Sequence, residues 1–320
     1  MPAVSCLIAT TPRSGSWLLA AGLHETELAG QPEEYFRPDA TFLWAREWGL
    51  RPEGPYGDYV RHALDWSTGA NAVFSAKLHW YQFEWLVGKL RSCEGGEEKA
   101  APFSLSSDSA DLSSSAQVIA DSFPHPKYVH LWRRDTPRQA VSYLRALQTN
   151  VWFVVDRDNR HPVESGELLA PDYHHIRWLE DVVVSHEMKW RQFFEASGVE
   201  RLDVAYEDLA SNYVGTIGSV VEWLGAGCRA DVARLTPPLV KQADDRSESW
   251  LERYLLVRDS IEPRPWRRPP GGVQSPQTPS PMSGPDGPVG EAGSAISPPS
   301  RGAGNRSRAR PQQHKERRTP

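Results

Sequence analysis

Short apolar runs recur along the first two thirds of the chain, separated by polar turns and by longer stretches of mixed character. Four of them, AVSCLIA (residues 3–9), AVFSAKLHW (72–80), KYVHLWR (127–133) and RLDVAYE (201–207), are rich in β-branched and aromatic residues. Runs of that length and composition predict strands buried on both faces. Between and after them the apolar positions fall at helical spacing, which predicts helices over residues 16–23, 137–148, 171–197 and 213–224. Thr136-Pro137 suits an N-cap followed by the first helical position. In the third helix Trp178, Leu179, Val182, Val183, His186 and Trp190 share one stripe, a packing face. Strands alternating with helices predict an α/β fold of three layers, a mostly parallel central sheet flanked by helices.

Ligands of such sheets bind at the carboxyl ends of the strands. The first strand empties there into TTPRSGSW (10–17), a turn that becomes a helix. Backbone N–H groups and the positive end of the helix dipole converge at such a turn and make an anion site. Gly15 permits close backbone approach, Ser14 and Ser16 add hydroxyl donors, and Arg13 adds a permanent charge. The loop lacks the earlier glycine and the lysine of G-x-x-x-x-G-K-[ST], so it is not a Walker A loop. HLWRRDTPRQAVSYLRA (130–146) repeats the plan, with Arg133 and Arg134 at the strand end and Ser142 about two turns into the helix. Two such sites suit a ligand charged at both ends. Surface pairing of these arginines with Asp135 and other carboxylates is the competing reading.

Composition narrows the class. The 320 residues carry a formal net charge of -5, so no global basic field recruits nucleic acid to the folded part. Three scattered cysteines make neither a disulfide framework nor a ligand cluster, and His174, His175 and His186 lack metal-site spacing, so no metal is expected. No run is apolar enough to span a membrane and no signal-like segment opens the chain, so a cytoplasmic location is expected. Residues 263–320 are rich in Pro, Gly, Ser and Arg and are expected to be a disordered tail behind a domain of residues 1–262; residues 92–117 read as a polar surface insertion. Cys6 stands one residue too far from Arg13 for a phosphatase loop, and no G-x-S-x-G elbow occurs.

PRSGSW after the first strand, RRDTPRQAVS after a later one, and YEDL ahead of GTIGSVVEWLG together resemble the sulfotransferases that use 3'-phosphoadenosine 5'-phosphosulfate. ELAGQPEEYF, AKLHW, RQAVSYLRALQTNVW and KQADDRSESWLERY are more closely similar to the bacterial trehalose 2-sulfotransferase family, a likeness running from about Val4 to Asp259. The resemblance implies a P-loop-like sulfotransferase fold, that donor as cofactor, a sugar or glycolipid acceptor and a homodimer. Arg13, Ser14, Gly15 and Ser16 would then bind the 5'-phosphosulfate, with Arg13 where many sulfotransferases have lysine. Arg133 and Ser142 would hold the 3'-phosphate, with Arg134 as the alternative arginine, and Gln242 and Arg246 would close over the nucleotide.

Sulfuryl transfer needs positioning and cations facing the equatorial and leaving oxygens, a role expected of Arg13 and Lys77. The acceptor hydroxyl must also lose a proton. Glu34 of QPEEYF aligns with the carboxylate base of the trehalose enzymes, whereas His79 of KLHW resembles the histidine base of the eukaryotic cytosolic type. Glu33 and Glu34, if desolvated together, are expected to raise one another's pKa. Trp17, Trp80 and Trp152 are candidates to line an acceptor pocket. A small-molecule kinase with a related nucleotide site and a non-catalytic nucleotide- or sugar-binding module are the alternatives.

Overall fold

Four strands, β1 (Val4–Thr10), β2 (Val73–His79), β3 (Pro126–Trp132) and β4 (Arg201–Ala205), lie parallel in the order β2-β1-β3-β4. The computed structural model describes residues 1–51, 54–94, 104–152, 170–227, 232–237 and 243–265. Ten helices among the described residues connect and cover the strands: α1 (Ser16–Glu25), α2 (Pro38–Glu47), α3 (Tyr56–Ser67), α4 (Trp80–Glu94), α5 (Ser109–Ser122), α6 (Thr136–Thr149), α7 (Tyr173–Ser197), α8 (Tyr206–Ser211), α9 (Tyr213–Leu224) and α10 (Asp245–Val257). The mostly parallel α/β arrangement expected from the alternating pattern is therefore present.

Side chains along a strand alternate between its faces, and β1 serves two cores. Leu7 and Ala9 join one cluster with Phe74, Trp80, Ile119, Tyr128 and Trp190, while Cys6 and Ile8 join another with Leu19, Val129, Ile217 and Val220. A third cluster packs α6, α7 and α10 together through Leu144, Leu179 and Tyr254. Inside that junction the buried Glu180 carboxylate accepts from Tyr254 Oη at 2.5 Å, Arg258 Nη2 at 2.6 Å and Thr136 Oγ1 at 3.0 Å. A buried carboxylate with this many donors is compensated.

The predicted strands and helices recur with small shifts at their ends. The runs at 72–80 and 201–207 are cut short, because Trp80 opens α4 and Tyr206 opens α8 directly from the strand ends. Two regions depart further. The polar stretch 92–117 reads as a surface insertion, yet from Ser109 it forms α5, whose Leu112, Ala116 and Ile119 recur at helical spacing and are buried in the first core. Serines on its other positions hide that stripe in the composition. The span before β2, for which the apolar pattern predicts no element, forms α2 and α3, joined by Trp48 against Tyr59 at 5.1 Å, with Trp44 stacked on Trp48 at 5.5 Å. The expected tail lies outside the described residues from position 266 on.

Register positions the site. Thr10 at the end of β1 pairs with His79 of β2 on one side and with Leu131 of β3 on the other. The chain leaves β1 for β2 and returns past it to β3, so β1 is the switch point whose carboxyl end opens a crevice. If α5 belongs to the core, Ile119→Ala costs about 2–5 kcal/mol. A Tm equal to that of the unsubstituted chain in thermal denaturation contradicts this placement.

Candidate active site

The turn after β1 is tied down from both sides. Thr10 Oγ1 bonds Ser14 Oγ and donates to the Leu131 carbonyl at 3.0 Å, joining the turn to β3. Gln139 of α6, itself buried, donates from Nε2 to Thr11 Oγ1 at 2.9 Å and to the Pro12 carbonyl at 2.7 Å. Arg13 has φ 66° and Gly15 has φ 87°, so two left-handed residues reverse the chain into α1. Gly15 is doubly constrained, since a Cβ there would lie 2.4 Å from Cδ2 of Tyr206. It caps α1 without a side-chain bond, which leaves the first-turn N–H groups of that helix pointing out of its end.

The two expected anion sites are one continuous surface. Arg13 Nε donates to Ser142 Oγ at 3.0 Å and its Nη1 to the Trp152 carbonyl. Arg133 Nη1 donates to the Arg13 carbonyl at 3.3 Å, and its guanidinium stacks 4.6 Å from the centre of the Tyr206 ring. Burial, with Arg133 and Arg145 nearby, holds Arg13 down to about 10. Arg145 is bonded to Asp244 Oδ1 at 2.7 Å and to Ser247 Oγ at the start of α10. Three guanidinium groups thus converge where an anion would relieve their repulsion. Arg134 goes elsewhere: 49% exposed, it makes a fork with Asp208, Nη1 to Oδ1 at 2.9 Å and Nη2 to Oδ2 at 2.7 Å. Between the two adjacent arginines, Arg133 is the one that faces the turn.

Across β1 lies a buried charge cluster. QPEEYF runs beside β2, with Glu33 bridged to Ala76 and the Lys77 N–H donating to the Glu33 carbonyl at 2.9 Å. That pairing brings Glu34 Oε1 within 3.4 Å of Lys77 Nζ and 3.7 Å of His79 Nε2. Lys77 is 0% exposed; its Nζ has no hydrogen-bond partner and stands 3.2 Å over the centre of the Trp17 ring. Glu34 Oε2 accepts from Gln82 Nε2 at 2.9 Å and lies 3.9 Å from Arg37 Nη1, whose Nε reaches Asp39 Oδ1 at 2.8 Å.

The two neighbouring carboxyls diverge. Burial alone would raise the Glu34 pKa, but Lys77, His79, Arg37 and the Gln82 bond together bring it down to about 2. Glu33 is raised by its burial, with Lys77 and Arg37 acting against the rise. The expectation that each raises the other therefore fails at Glu34, where cations outweigh the adjacent like charge. Burial also pushes His79 down, against the pull of Glu34.

Of the aromatic candidates, Trp17 is engaged beneath Lys77, and Trp80 is a core residue set edge-on to Trp190 at 5.0 Å. Trp152 contributes its carbonyl to Arg13, and its ring lies 6.1 Å from that of Tyr143. The stripe on α7 packs as expected, with Leu179, Val183, His186 and Trp190 buried. Arg246 is exposed on the first turn of α10, while Gln242 lies outside the described residues. Among the described residues no three His, Cys, Asp or Glu side chains gather as a metal site. Sequence reasoning missed Gln82, Arg37 and Gln139. The signal for Gln82 is its position three residues after the strand end, where a side chain can cap the helix.

The family model for Stf0 sulphotransferase matches residues 5–256 of the chain. A trehalose 2-sulfotransferase of Mycolicibacterium smegmatis is 31% identical over 274 residues, covering 78% of this chain and 93% of the relative. One from Mycobacterium tuberculosis is 30% identical over 272 residues, with the same coverage of 78% and 93%. A solved sulfotransferase from Alicyclobacillus acidocaldarius aligns with a TM-score of 0.42 at 14% identity, over 81% of this chain and 95% of that one.

Gly15→Ala forces a side chain into a left-handed position against Tyr206 and is expected to destabilise by about 1–2 kcal/mol from the backbone alone. Unchanged thermal stability excludes that constraint. Glu34 supplies a separate check. Its folded pKa lies below the unfolded value, so its stabilisation is complete above about pH 4.5 and is lost as pH falls toward about 2. Acid unfolding followed by circular dichroism should lose part of its steepness in that window in Glu34→Gln.

Proposed function

The chain belongs to the Stf0 sulphotransferase family, and from that premise we propose that it transfers a sulfuryl group from 3'-phosphoadenosine 5'-phosphosulfate to a hydroxyl of a carbohydrate such as trehalose, with Glu34 as general base. The observation that carries this reading is the convergence of Arg13, Ser142 and Arg133 at the tips of β1 and β3, beside the buried Lys77–Glu34 pair on β2. The residues present fit such a donor: a cradle of cations with an outward-facing helix N-terminus for its phosphates, and a buried ammonium without a hydrogen-bond partner near its reactive end.

The donor supplies an activated sulfonate on a phosphate leaving group. Arg133, stacked on Tyr206, and Ser142 hold the 3'-phosphate, while the turn from Arg13 to Ser16 holds the 5' end. The fork between Arg134 and Asp208 supports giving this role to Arg133. Arg13 joins the two ends, because its backbone belongs to the turn and its guanidinium reaches Ser142. Lys77 neutralises charge developing on the sulfonate.

A carboxyl held at about 2 is a weak base, and the same lysine explains how it gains strength. When Lys77 faces a second anion, its hold on Glu34 is shared and the carboxyl rises toward the range in which it can take the acceptor's proton. His79 remains the second candidate, since burial keeps it neutral and its Nε2 lies 3.7 Å from Glu34. Tyr81 and Tyr143 are both within electrostatic reach of Glu34. Trehalose rests on the relatives' names, and the homodimer on the family resemblance. A cytoplasmic location rests on the sparse cysteines, and no helix among the described residues is long and apolar enough to cross a membrane.

Titration with 3',5'-adenosine bisphosphate should give tight binding and titration with ATP weak binding; the reverse favours a kinase. Labelled donor offered with trehalose and other sugars should give a sulfated product, and none with any acceptor favours a binding module. Glu34→Gln should lose about 10²–10⁴ in turnover while binding the bisphosphate normally. His79→Gln should keep most of its activity, and the opposite pattern assigns the base to His79.

A further inference from the structure

Gln82 is fully buried and occupies the third position of α4, immediately behind the strand that carries Lys77 and His79. Its Oε1 accepts from the His79 N–H at 2.9 Å, the reciprocal half of a capping box. Once the carbonyl oxygen is committed to that N–H, the amide nitrogen can point only the other way. It donates to Glu34 Oε2 at 2.9 Å and to the Tyr81 hydroxyl at 3.2 Å.

We propose that Gln82 is a positioning residue for Glu34: it binds one carboxylate oxygen and leaves the other, Oε1, facing Lys77 and His79 as the oxygen that takes the acceptor's proton. The proposal rests on Glu34 being the base. Residue chemistry distinguishes this role from capping alone. A glutamate would accept from the His79 N–H equally well, and either residue fills that half of the motif. Here it would set a second carboxylate against Glu34 at hydrogen-bond distance. Only an amide accepts toward the helix start and donates toward the carboxylate.

The consequence concerns protonation as well as aim. The charged and titratable groups facing Glu34 are Lys77 and His79 from β2, Arg37, Glu33 and Asp39 from its own segment and the start of α2, Tyr81 from α4 and Tyr143 from α6. Gln82 is the uncharged donor among them. Replacing it with a carboxylate keeps the cap and turns a group that favours ionised Glu34 into one that opposes it, so the Glu34 pKa must rise.

The test compares full-length Gln82→Glu and Gln82→Met with the unsubstituted chain. Three quantities are measured: thermal stability, affinity for 3',5'-adenosine bisphosphate, and the Glu34 titration by carbon-13 NMR of labelled glutamates, its signal identified by its absence in Glu34→Gln. Gln82→Glu should keep its bisphosphate affinity while Glu34 titrates higher by about one unit or more, with the loss of stability near neutral pH that such a rise entails, and sulfate transfer to trehalose should fall in kcat with little change in donor KM. Gln82→Met, which loses both bonds, should also raise the Glu34 titration and should lower stability in addition. A Glu34 titration unmoved in both variants overturns the proposal. Glu34→Gln separates the two possible failures. If it is inactive while the titration is unmoved in the Gln82 variants, the role of Gln82 alone is wrong; if it turns over at full rate, the base assignment is wrong and the catalytic meaning of Gln82 falls with it.

Discussion

A carboxylate cannot be taken out of water without compensation, and the arrangement around Glu34 follows from that constraint. Its main partner is Lys77, which is buried and would itself be untenable without an opposite charge. The face of Trp17 supplies the ammonium's other contact, and Arg37 and Gln82 take the carboxylate oxygen that Lys77 does not. The segment carrying Glu34 is itself held beside β2 by backbone pairing at Glu33. Main-chain geometry thus brings the charges together, and the charges in turn hold the segment.

On the other side of β1 the balance is reversed. Burial, and then the nearby Arg133 and Arg145, lower the basicity of Arg13, and neutral acceptors, together with Glu207 and the acidic start of α10, hold the three arginines there. One side of the site is a buried ion pair and the other a gathering of three guanidinium groups. A polyanion at the guanidinium groups would relieve their mutual repulsion.

Much of this was legible in the sequence because the strands are short, apolar and separated by turns with distinctive chemistry. The first turn and the arginines after β3 were open to reading from motif and spacing, and Lys77 and Glu34 from the family resemblance. Three things were not. The helical stripe of α5 is diluted by serine, so composition conceals what periodicity would show. The choice between Arg133 and Arg134 depends on Asp208, which comes from α8 and is distant in sequence. The direction of the Glu34 pKa shift depends on cations gathered from β2 and from its own segment, which adjacency to Glu33 does not reveal.

Gln139 has an effect on motion. Its amide reaches from inside α6 to two consecutive residues of the turn after β1, so the turn is braced against the helix that carries Ser142. A ligand that spanned both would meet a separation already set by the fold. The entropy of aligning them is lost once, when the chain folds, and not again at each encounter.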